Sequence, residues 1–473
     1  MRKITILLTV IVLGISSLFA QTTLEVGEGK TFTTIKAAWD AAKTDPATEI
    51  TINIAEGTYL IEGGGTNSLG PIANKKITLV GAGADKTFVK RFADGFTLPG
   101  TGGHVDQNPN RLFQFNTAES NLDLILEKLS FQNMGFNNSN GGGFVNVTSG
   151  GGTNLKFTFR NCNFNNIMAR AGGIIQTQVA DAALSILFEN CFIENCGAFD
   201  NNGMNGLIAY QSGSCTIKNT TFMNNIFNAI NIGNKSPGTD RNLQSGALVN
   251  GNNTASTLNV ENCYVVNNKF LFGDTDKTHP MFAMKSNIGA DSVFITIKNL
   301  ISVGNKRASS YDCDLYYQNI FNPVMENVIL NAVRNFDRVP LTETTDTLYD
   351  ADVPSIAGTV IIDQTKTYNS PEVNFEMDAT TNLPKIFVNA TTGVKYLNRL
   401  PTGLADNRAN DLKIKTDKGL LNISSDKVEN ITIYNVLGAK LAHFNQVNNA
   451  EIALTSGAYI IKTATSSVKV LLK

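Results

Sequence analysis

The segment Leu155-Lys-Phe-Thr-Phe-Arg-Asn-Cys-Asn-Phe-Asn-Asn166 recurs along the chain and decides the fold. Aligned on its cysteine, the equivalent residues follow one another at spacings of 33, 29, 29, 43, 37 and 28: Leu129, Cys162, Cys191, Thr220, Cys263, Leu300 and Val328. Each copy begins with apolar residues at alternate positions, the pattern of a strand with one buried face. Strands that recur at this spacing without helical patterns between them predict a solenoid.

Asparagine forms two columns in this alignment. The first, interrupted only by Lys128, precedes the reference position and contains Asn161, Asn190, Asn219, Asn262, Asn299 and Asn327. The second marks the following turn and contains Asn133, Asn166, Asn195, Asn224 and Asn267. Parallel strands lie about 4.8 Å apart, so we expect the amides to hydrogen-bond along each column. Asparagine also tolerates the bend between two strands.

A third column carries charges whose sign alternates at every step: Glu127, Arg160, Glu189, Lys218, Glu261, Lys298 and Glu326. In a regular stack, each charge lies between two opposite ones, which favours a single register. We therefore interpret these acids as structural rather than catalytic.

Three of the six cysteines, Cys162, Cys191 and Cys263, share the inward reference column. The strand spacing is wider than disulfide geometry prefers, so we predict buried thiols there. Cys196, Cys215 and Cys313 lie off this column, and the sequence assigns them no pairing.

Composition restricts the class of protein. The 473 residues carry 39 Lys and Arg against 40 Asp and Glu, a net charge of -1, which argues against a nucleic-acid partner. Charged residues make up 17% and hydrophobic residues 42%, as in a globular protein.

The N-terminus reads as a secretory signal peptide over residues 1–20. Arg2 and Lys3 precede an apolar run, and we predict cleavage between Ala20 and Gln21. No later stretch is apolar for long enough to predict a transmembrane segment. We divide the remainder into a β-helix domain at 21–395 with its cap at 21–60, a linker at 396–411, and a C-terminal domain at 412–473.

Residues 34–43 have the pattern of an amphipathic helix. Ile35, Ala38, Trp39 and Ala42 form its apolar stripe, and Thr33 or Thr34 is its N-cap. We interpret this helix as the plug of the first turn, with Trp39 packed inside. A carbohydrate-stacking role for Trp39 is the alternative.

Three N-terminal segments resemble the opening of pectate-lyase-like and pectin-esterase-like proteins: Phe32-Thr-Thr-Ile-Lys-Ala-Ala-Trp39, Ile52-Asn-Ile-Ala-Glu-Gly-Thr-Tyr59 and Ile77-Thr-Leu-Val-Gly-Ala-Gly83. The resemblance implies an all-β fold, a right-handed parallel β-helix with an N-terminal capping helix. That superfamily includes polyuronate lyases, glycoside hydrolases, esterases and surface proteins without known chemistry.

The C-terminal residues predict a small antiparallel β-sandwich. Ile433-Tyr-Asn-Val-Leu-Gly438, Ser456-Gly-Ala-Tyr-Ile460 and Lys469-Val-Leu-Leu-Lys473 resemble the sorting (Por) domain of type IX secretion. The resemblance implies the type IX machinery as a partner. It also implies that the protein is secreted, or held at the outer cell surface, by a Gram-negative bacterium.

Catalytic signals are weak. The best cluster for a lyase is Arg307, Tyr311, Asp312 and Asp314, for which a loop held by an ion pair is the structural alternative. Asp274 and Asp276 are candidate Ca²⁺ ligands, or else solvated loop acids. The three histidines are scattered, so no metal cluster and no other cofactor is predicted.

Polar residues near the second strand of several repeats are the candidate ligand-binding set: Gln176, Gln178, Tyr210, Gln211, Lys285 and Asn319. Amides and a ring stacked along a flat sheet suit an extended glycan, and they also suit plain solvation. The sequence thus favours a secreted or cell-surface protein that binds an extracellular polysaccharide and lacks recognisable catalytic machinery. The alternative is a carbohydrate-active enzyme, foremost a polyuronate lyase.

Overall fold

The structure is a computed structural model. It describes residues 21–61, 69–70, 72–91, 111–115, 120–135, 143–169, 172–198, 206–227, 248–253, 256–270, 280–286, 294–306, 313–318, 324–331, 333–335, 355–363, 365–400, 412–417, 420–435, 439–463 and 467–472. Residue contacts divide the chain into two compact units, which are described separately. The first comprises Met1–Thr367 and Met377–Asn398, and the second comprises Tyr368–Glu376 and Arg399–Lys473.

Helix α1, Ile35–Thr44, lies near the start of the first unit and confirms the predicted cap helix. The Thr34 hydroxyl accepts a hydrogen bond from the backbone N–H of Ala37, as an N-cap does. The side chain of Trp39 is completely buried, and its ring packs edge-on against Phe113 at a centroid distance of 5.4 Å. Its indole N–H donates to the carbonyl of Gly70. Trp39 therefore belongs to the core and is not available for sugar stacking.

Strands make up most of the first unit. The first half contains β1 Thr22–Val26, β2 Glu49–Ile54, β3 Gly57–Leu60, β4 Lys75–Gly81, β5 Thr87–Lys90, β6 Phe113–Phe115, β7 Leu122–Glu127, β8 Ser130–Gly135, β9 Val145–Val147, β10 Leu155–Arg160, β11 Asn163–Ala169, β12 Ile175–Thr177, β13 Ser185–Glu189, β14 Phe192–Glu194 and β15 Gly197–Ala198. The second half contains β16 Ile208–Tyr210, β17 Gly213–Lys218, β18 Thr221–Met223, β19 Ile226–Phe227, β20 Val249–Asn253, β21 Ser256–Val266, β22 Lys269–Phe270, β23 Pro280–Ser286, β24 Phe294–Val303, β25 Cys313–Gln318, β26 Val324–Leu330, β27 Val333–Asn335, β28 Ser355–Ile362, β29 Ile386–Val388 and β30 Lys395–Leu397.

Except for β29 and β30, these strands form a parallel β-helix, as predicted. Each strand of one turn pairs in parallel with its equivalent in the next turn, for example β10 with β13 and β11 with β14. Twenty strands, β1 to β5 and those that begin each later turn, belong to one sheet. The strand that ends a turn belongs to an eight-stranded sheet in the order β6, β9, β12, β16, β20, β23, β25, β27.

Stacked phenylalanines fill much of the interior. Phe131 and Phe164 stack at 5.4 Å between ring centroids, and Phe159 and Phe188 stack at 4.5 Å. Phe144, from the eight-stranded sheet, packs edge-on against Phe164 at 5.7 Å. Like side chains meet because the repeat places them at the same position of successive turns. The core is therefore continuous along the solenoid rather than divided between turns.

The asparagine columns lie at the corners between strands, as predicted. All of their described members have φ between 48° and 58°, and so does Lys128 at 55°. This left-handed conformation strains most side chains, and asparagine adopts it more readily than most other residues. Amides donate along the columns, for example Asn299 to Asn262 at 2.8 Å and Asn267 to Asn224 at 2.7 Å.

Two further amide ladders were not predicted. One precedes the first strand of a turn, where Asn154 donates to Asn121 and Asn121 donates to Asn74. The other lies inside the solenoid. There the side-chain oxygen of Asn268 accepts from Asn225 at 2.9 Å, and its amide nitrogen donates to Asn305 at 3.0 Å.

The alternating charges are aligned in one register from Glu127 to Glu326. Arg160 lies 2.8 Å from Glu189 and 3.9 Å from Glu127, so it bridges the turns on both sides. Its hydrogen bond with Glu189 raises the pKa of the guanidinium. The column is therefore a structural ladder, as predicted.

The described cysteines are buried free thiols: Cys162, Cys191, Cys196, Cys215 and Cys263. This confirms the prediction for the inward column and extends it to two residues that the sequence left unassigned. Burial raises the pKa of Cys191 and of Cys263 to about 12. The side chain of Cys313 lies outside the described residues.

The second unit contains β31 Leu412–Asp417, β32 Leu420–Asn435, β33 Lys440–Ala453, β34 Gly457–Lys462 and β35 Ser467–Leu472. They form one five-stranded antiparallel sheet around a small core of their own. The pairing of β32 with β33 shifts register three times. In the same unit, the Val373 carbonyl accepts a hydrogen bond from the Arg399 side chain at 3.0 Å.

Candidate ligand-binding site on the eight-stranded sheet

One row of side chains faces outward along the eight-stranded sheet. Val145, Ile175 and Ile208 lie in register and belong to the core, as does Val147. Side chains alternate between the two faces of a strand, so the residues between these positions point away from the core. We call those whose side chains the structure describes the outer row: Gln114, Asn146, Gln176, Ala209 and Ala283.

Most described side chains of the outer row are shielded from solvent although they do not face the core, whereas Gln114 is half-buried. Asn146 is 2% exposed and Gln176 is 4% exposed. Next to them, Ala209 and Ala283 are also buried, and they contribute only methyl groups. The row therefore combines amide groups with small residues.

Gln176 is the unusual member of the row, because its buried side-chain oxygen has no hydrogen-bond partner. Leaving a buried acceptor unsatisfied costs about 1–3 kcal/mol. Most buried polar groups in proteins are paired, so an exception needs a physical explanation. A ligand that donates a hydroxyl or amide hydrogen to this oxygen supplies one.

Tyr210 does not lie on the polar face, which corrects the prediction. Gln176 pairs with Ala209, so the next residue, Tyr210, points inward. Its hydroxyl donates to the carbonyl of Thr257 at 3.0 Å, and burial raises its pKa well above the usual value. A Cβ on Gly251 would lie 3.1 Å from the Tyr210 ring, so the glycine leaves room for this side chain.

The other predicted binding residues are dispersed. Gln178 and Gln211 are half-buried just beyond the ends of their strands. The backbone N–H of Gln178 donates to Val147, and the carbonyl of Gln211 accepts from Ser256. Lys285 lies in β23, but its side chain and the whole of Asn319 are outside the described residues.

Only one of the four candidate catalytic residues is described. The carboxylate of Asp314 is 2% exposed and accepts from the Ser302 hydroxyl at 2.6 Å and from the backbone N–H of Asn331. This environment favours a structural role. Arg307, Tyr311 and Asp312 lie outside the described residues.

The remaining predicted positions are also largely untested. Asp274, Asp276 and Ala20 lie outside the described residues, whereas Gln21 donates to the Thr51 hydroxyl. Within the part of the chain that the structure describes, no group of three or more His, Cys, Asp and Glu side chains is placed to hold a metal ion. Among the same residues, no helix has the length and apolar character needed to cross a membrane.

Sequence reasoning missed two of the polar members of the outer row, Gln114 and Asn146. The signal was present, because each is a lone amide between two apolar residues, in Phe113-Gln-Phe115 and Val145-Asn-Val147. Such three-residue strands are too short to reveal an alternation without the register of their neighbours.

No protein family description matches the chain, and no curated protein matches it either. Among solved structures, ORF18 of Geobacillus virus E2 is 12% identical in sequence to this chain, with a TM-score of 0.29. The alignment covers 97% of this chain and 77% of the ORF18 chain. The pectin methylesterase from carrot is 11% identical, with a TM-score of 0.21, and the alignment covers 71% of this chain and 88% of the esterase chain. At such scores, the fold assignment depends on the strand pairing of this chain.

Proposed function

We propose that the protein binds an extracellular polysaccharide along the outer row of the eight-stranded sheet. The observation that supports this proposal is the unpartnered oxygen of Gln176 beside Asn146 in that row. The proposal requires these two side chains to become accessible on binding, because they are 4% and 2% exposed. An amide side chain offers both a donor and an acceptor, which suits the hydroxyl groups of sugars. Parallel strands repeat every 4.8 Å or so, close to the rise of one sugar ring along an extended polysaccharide.

The test is the change of Gln176 to leucine in the mature protein. Leucine fills a similar volume and removes the unsatisfied oxygen, so we expect an unchanged or slightly raised melting temperature. We expect affinity for the bound polysaccharide to fall about tenfold, as the loss of a buried hydrogen bond predicts. Affinity electrophoresis against a panel of acidic and neutral polysaccharides measures this change.

Gln132→Leu is the matched control. Gln132 is an amide on the other sheet, where its nitrogen donates to Ser130 at 2.9 Å. The control should bind as the wild type does. If Gln176→Leu binds equally well, the outer row is not the site, and if the wild type binds no member of the panel, the proposed function is wrong.

We also propose that the C-terminal domain directs export by the type IX machinery and that the protein reaches the outside of a Gram-negative cell. The support is the sequence resemblance, together with the separate antiparallel unit that contains residues 412–473. Deleting these residues should trap the β-helix in the periplasm, and cell fractionation measures its location. An unchanged distribution would contradict the proposal.

The enzymatic alternative, a polyuronate lyase, has no supporting observation among the described residues. Asp314 is its one described candidate, and its carboxylate oxygens accept hydrogen bonds inside the fold. Ultraviolet absorbance of unsaturated products, followed during incubation with polyuronates, tests this alternative directly.

A further inference from the structure

The hairpin of β29 and β30 is bound to the side of the β-helix far from its own position in sequence. Its strands pair antiparallel, and Phe387 lies opposite Tyr396. In the turn between them, the carbonyl of Thr392 accepts from the backbone N–H of Ala84 at 2.9 Å. The hairpin therefore belongs structurally to the early turns.

Asn163 holds the turn through both ends of its amide. Its nitrogen donates to the carbonyl of Gly393 at 3.0 Å, and its oxygen accepts from the backbone N–H of Lys395 at 3.1 Å. The Asn163 side chain is buried. This two-point contact fixes the backbone on both sides of the turn.

Two further contacts fix the hairpin. Gly393 has φ at 72°, and a Cβ there would lie 2.0 Å from the carboxylate of Asp85, so only glycine fits this approach. The ammonium of Lys395 forms an ion pair with Glu194, whose side chain is 6% exposed. A two-stranded hairpin alone is at best marginally stable, so these contacts with the β-helix are needed to hold the hairpin in place.

The opposite face of the hairpin presents a stack of rings. Tyr396 and Phe387 lie 5.6 Å apart between centroids, with their planes at 30°. The Lys385 ammonium lies 4.8 Å from the Phe387 centroid. Since Lys395 points towards Glu194, strand alternation directs Tyr396 away from the β-helix, and Tyr396 is 44% exposed.

We infer that Tyr396, supported by Phe387 and Lys385, is a second binding site for the polysaccharide, and that it accepts a sugar ring bearing a carboxylate. This inference rests on the proposed function. An exposed ring on a fixed backbone offers a flat apolar surface at low entropic cost, which suits the C–H face of a pyranose. The ammonium of Lys385 attracts the carboxylate, which gives the site a preference for uronic acids.

The test compares polygalacturonate with its fully methyl-esterified form, which differs in charge. Tyr396→Ala should weaken binding of both polymers by about tenfold, because the stacking surface is lost. Lys385→Gln should weaken binding of the charged polymer by about threefold and leave the esterified polymer unchanged. Isothermal titration calorimetry on the mature protein measures both affinities.

Val388→Ala is the matched control, because Val388 is 51% exposed on the same hairpin and pairs with Lys395 rather than with the ring stack. It should bind both polymers as the wild type does, and circular dichroism checks the fold of every variant. If the wild type binds and Tyr396→Ala binds equally, the ring site is wrong while the proposed function stands. If the wild type binds neither polymer, the inference fails for uronates, and the wider panel decides the proposed function.

Discussion

The corners of the 20-stranded sheet and the outer row of the eight-stranded sheet differ in how far they follow the repeat. Every described corner residue of the two columns is in the left-handed region, whether it is asparagine or Lys128. The outer row varies between glutamine, asparagine and alanine. The same backbone geometry thus constrains one position strongly and leaves the other free.

Repetition reveals the positions that hold the solenoid together, whereas a position that departs from repetition is free of that constraint. A corner needs φ near 55° in every turn, so the same residue type is reused. A side chain at an outward position is not constrained by packing in the core, so its residue type can vary from turn to turn. The predictions below test this difference, from the largest expected effect to the smallest.

Alkaline pH should unfold the β-helix. Burial raises the pKa of Cys191 and Cys263 to about 12, so the folded state holds these protons more tightly than the unfolded chain. The stability is therefore complete below pH 9 or so, the range of a free thiol, and is lost as pH rises towards 12. Circular dichroism across this range measures the loss. Ready reaction of the thiols with Ellman's reagent at pH 8 in the folded protein would contradict it.

Asn268→Ala should lower the free energy of unfolding by about 3 kcal/mol. Asn268 is fully buried, and its amide contacts Asn225, Asn305 and the carbonyl of Phe222. Alanine leaves those buried groups without their partners. Urea titration measures the change, and a cost below 1 kcal/mol or so would show that the ladder relaxes around the loss.

Asn299→Ala should cost only about 1 kcal/mol, because this corner is exposed and its hydrogen bond competes with water. Asn299→Gly separates the two contributions, since glycine keeps the left-handed backbone and removes only the amide. We expect glycine to be the milder change in the same titration. Equal costs for the two variants would assign the effect to the hydrogen bond rather than to the backbone.

Lys128→Asn should stabilise the protein by about 0.5–1 kcal/mol, because it restores the residue that this conformation favours. The ion pair that it removes, between Lys128 and Glu127 at 4.0 Å, is exposed and weak. Lys156→Asn, an exposed lysine inside β10, is the control and should be neutral or slightly destabilising. Thermal denaturation distinguishes the two, and destabilisation by Lys128→Asn would overturn this account of the corner.

The sequence was sufficient for the features that repeat at a fixed position. The corner asparagines, the charge ladder around Arg160 and the buried Cys191 were all predicted. Tyr210 was misplaced because a three-residue strand such as β16 shows no alternation by itself, and its direction depends on pairing with β12. The contact between Asn163 and Gly393 spans 230 residues and follows from no local pattern.

The two corner columns fix the cross-section of the solenoid. The second corner lies five positions after the first, as in Lys128 and Asn133, Asn161 and Asn166, and Asn262 and Asn267. Gly304, with φ at 65°, keeps the same interval after Asn299. The spacing from one turn to the next varies from 28 to 43 residues. A gene encoding such a chain can therefore gain or lose residues in the loops, or duplicate a whole turn, while each turn keeps the same edge on which the next one stacks.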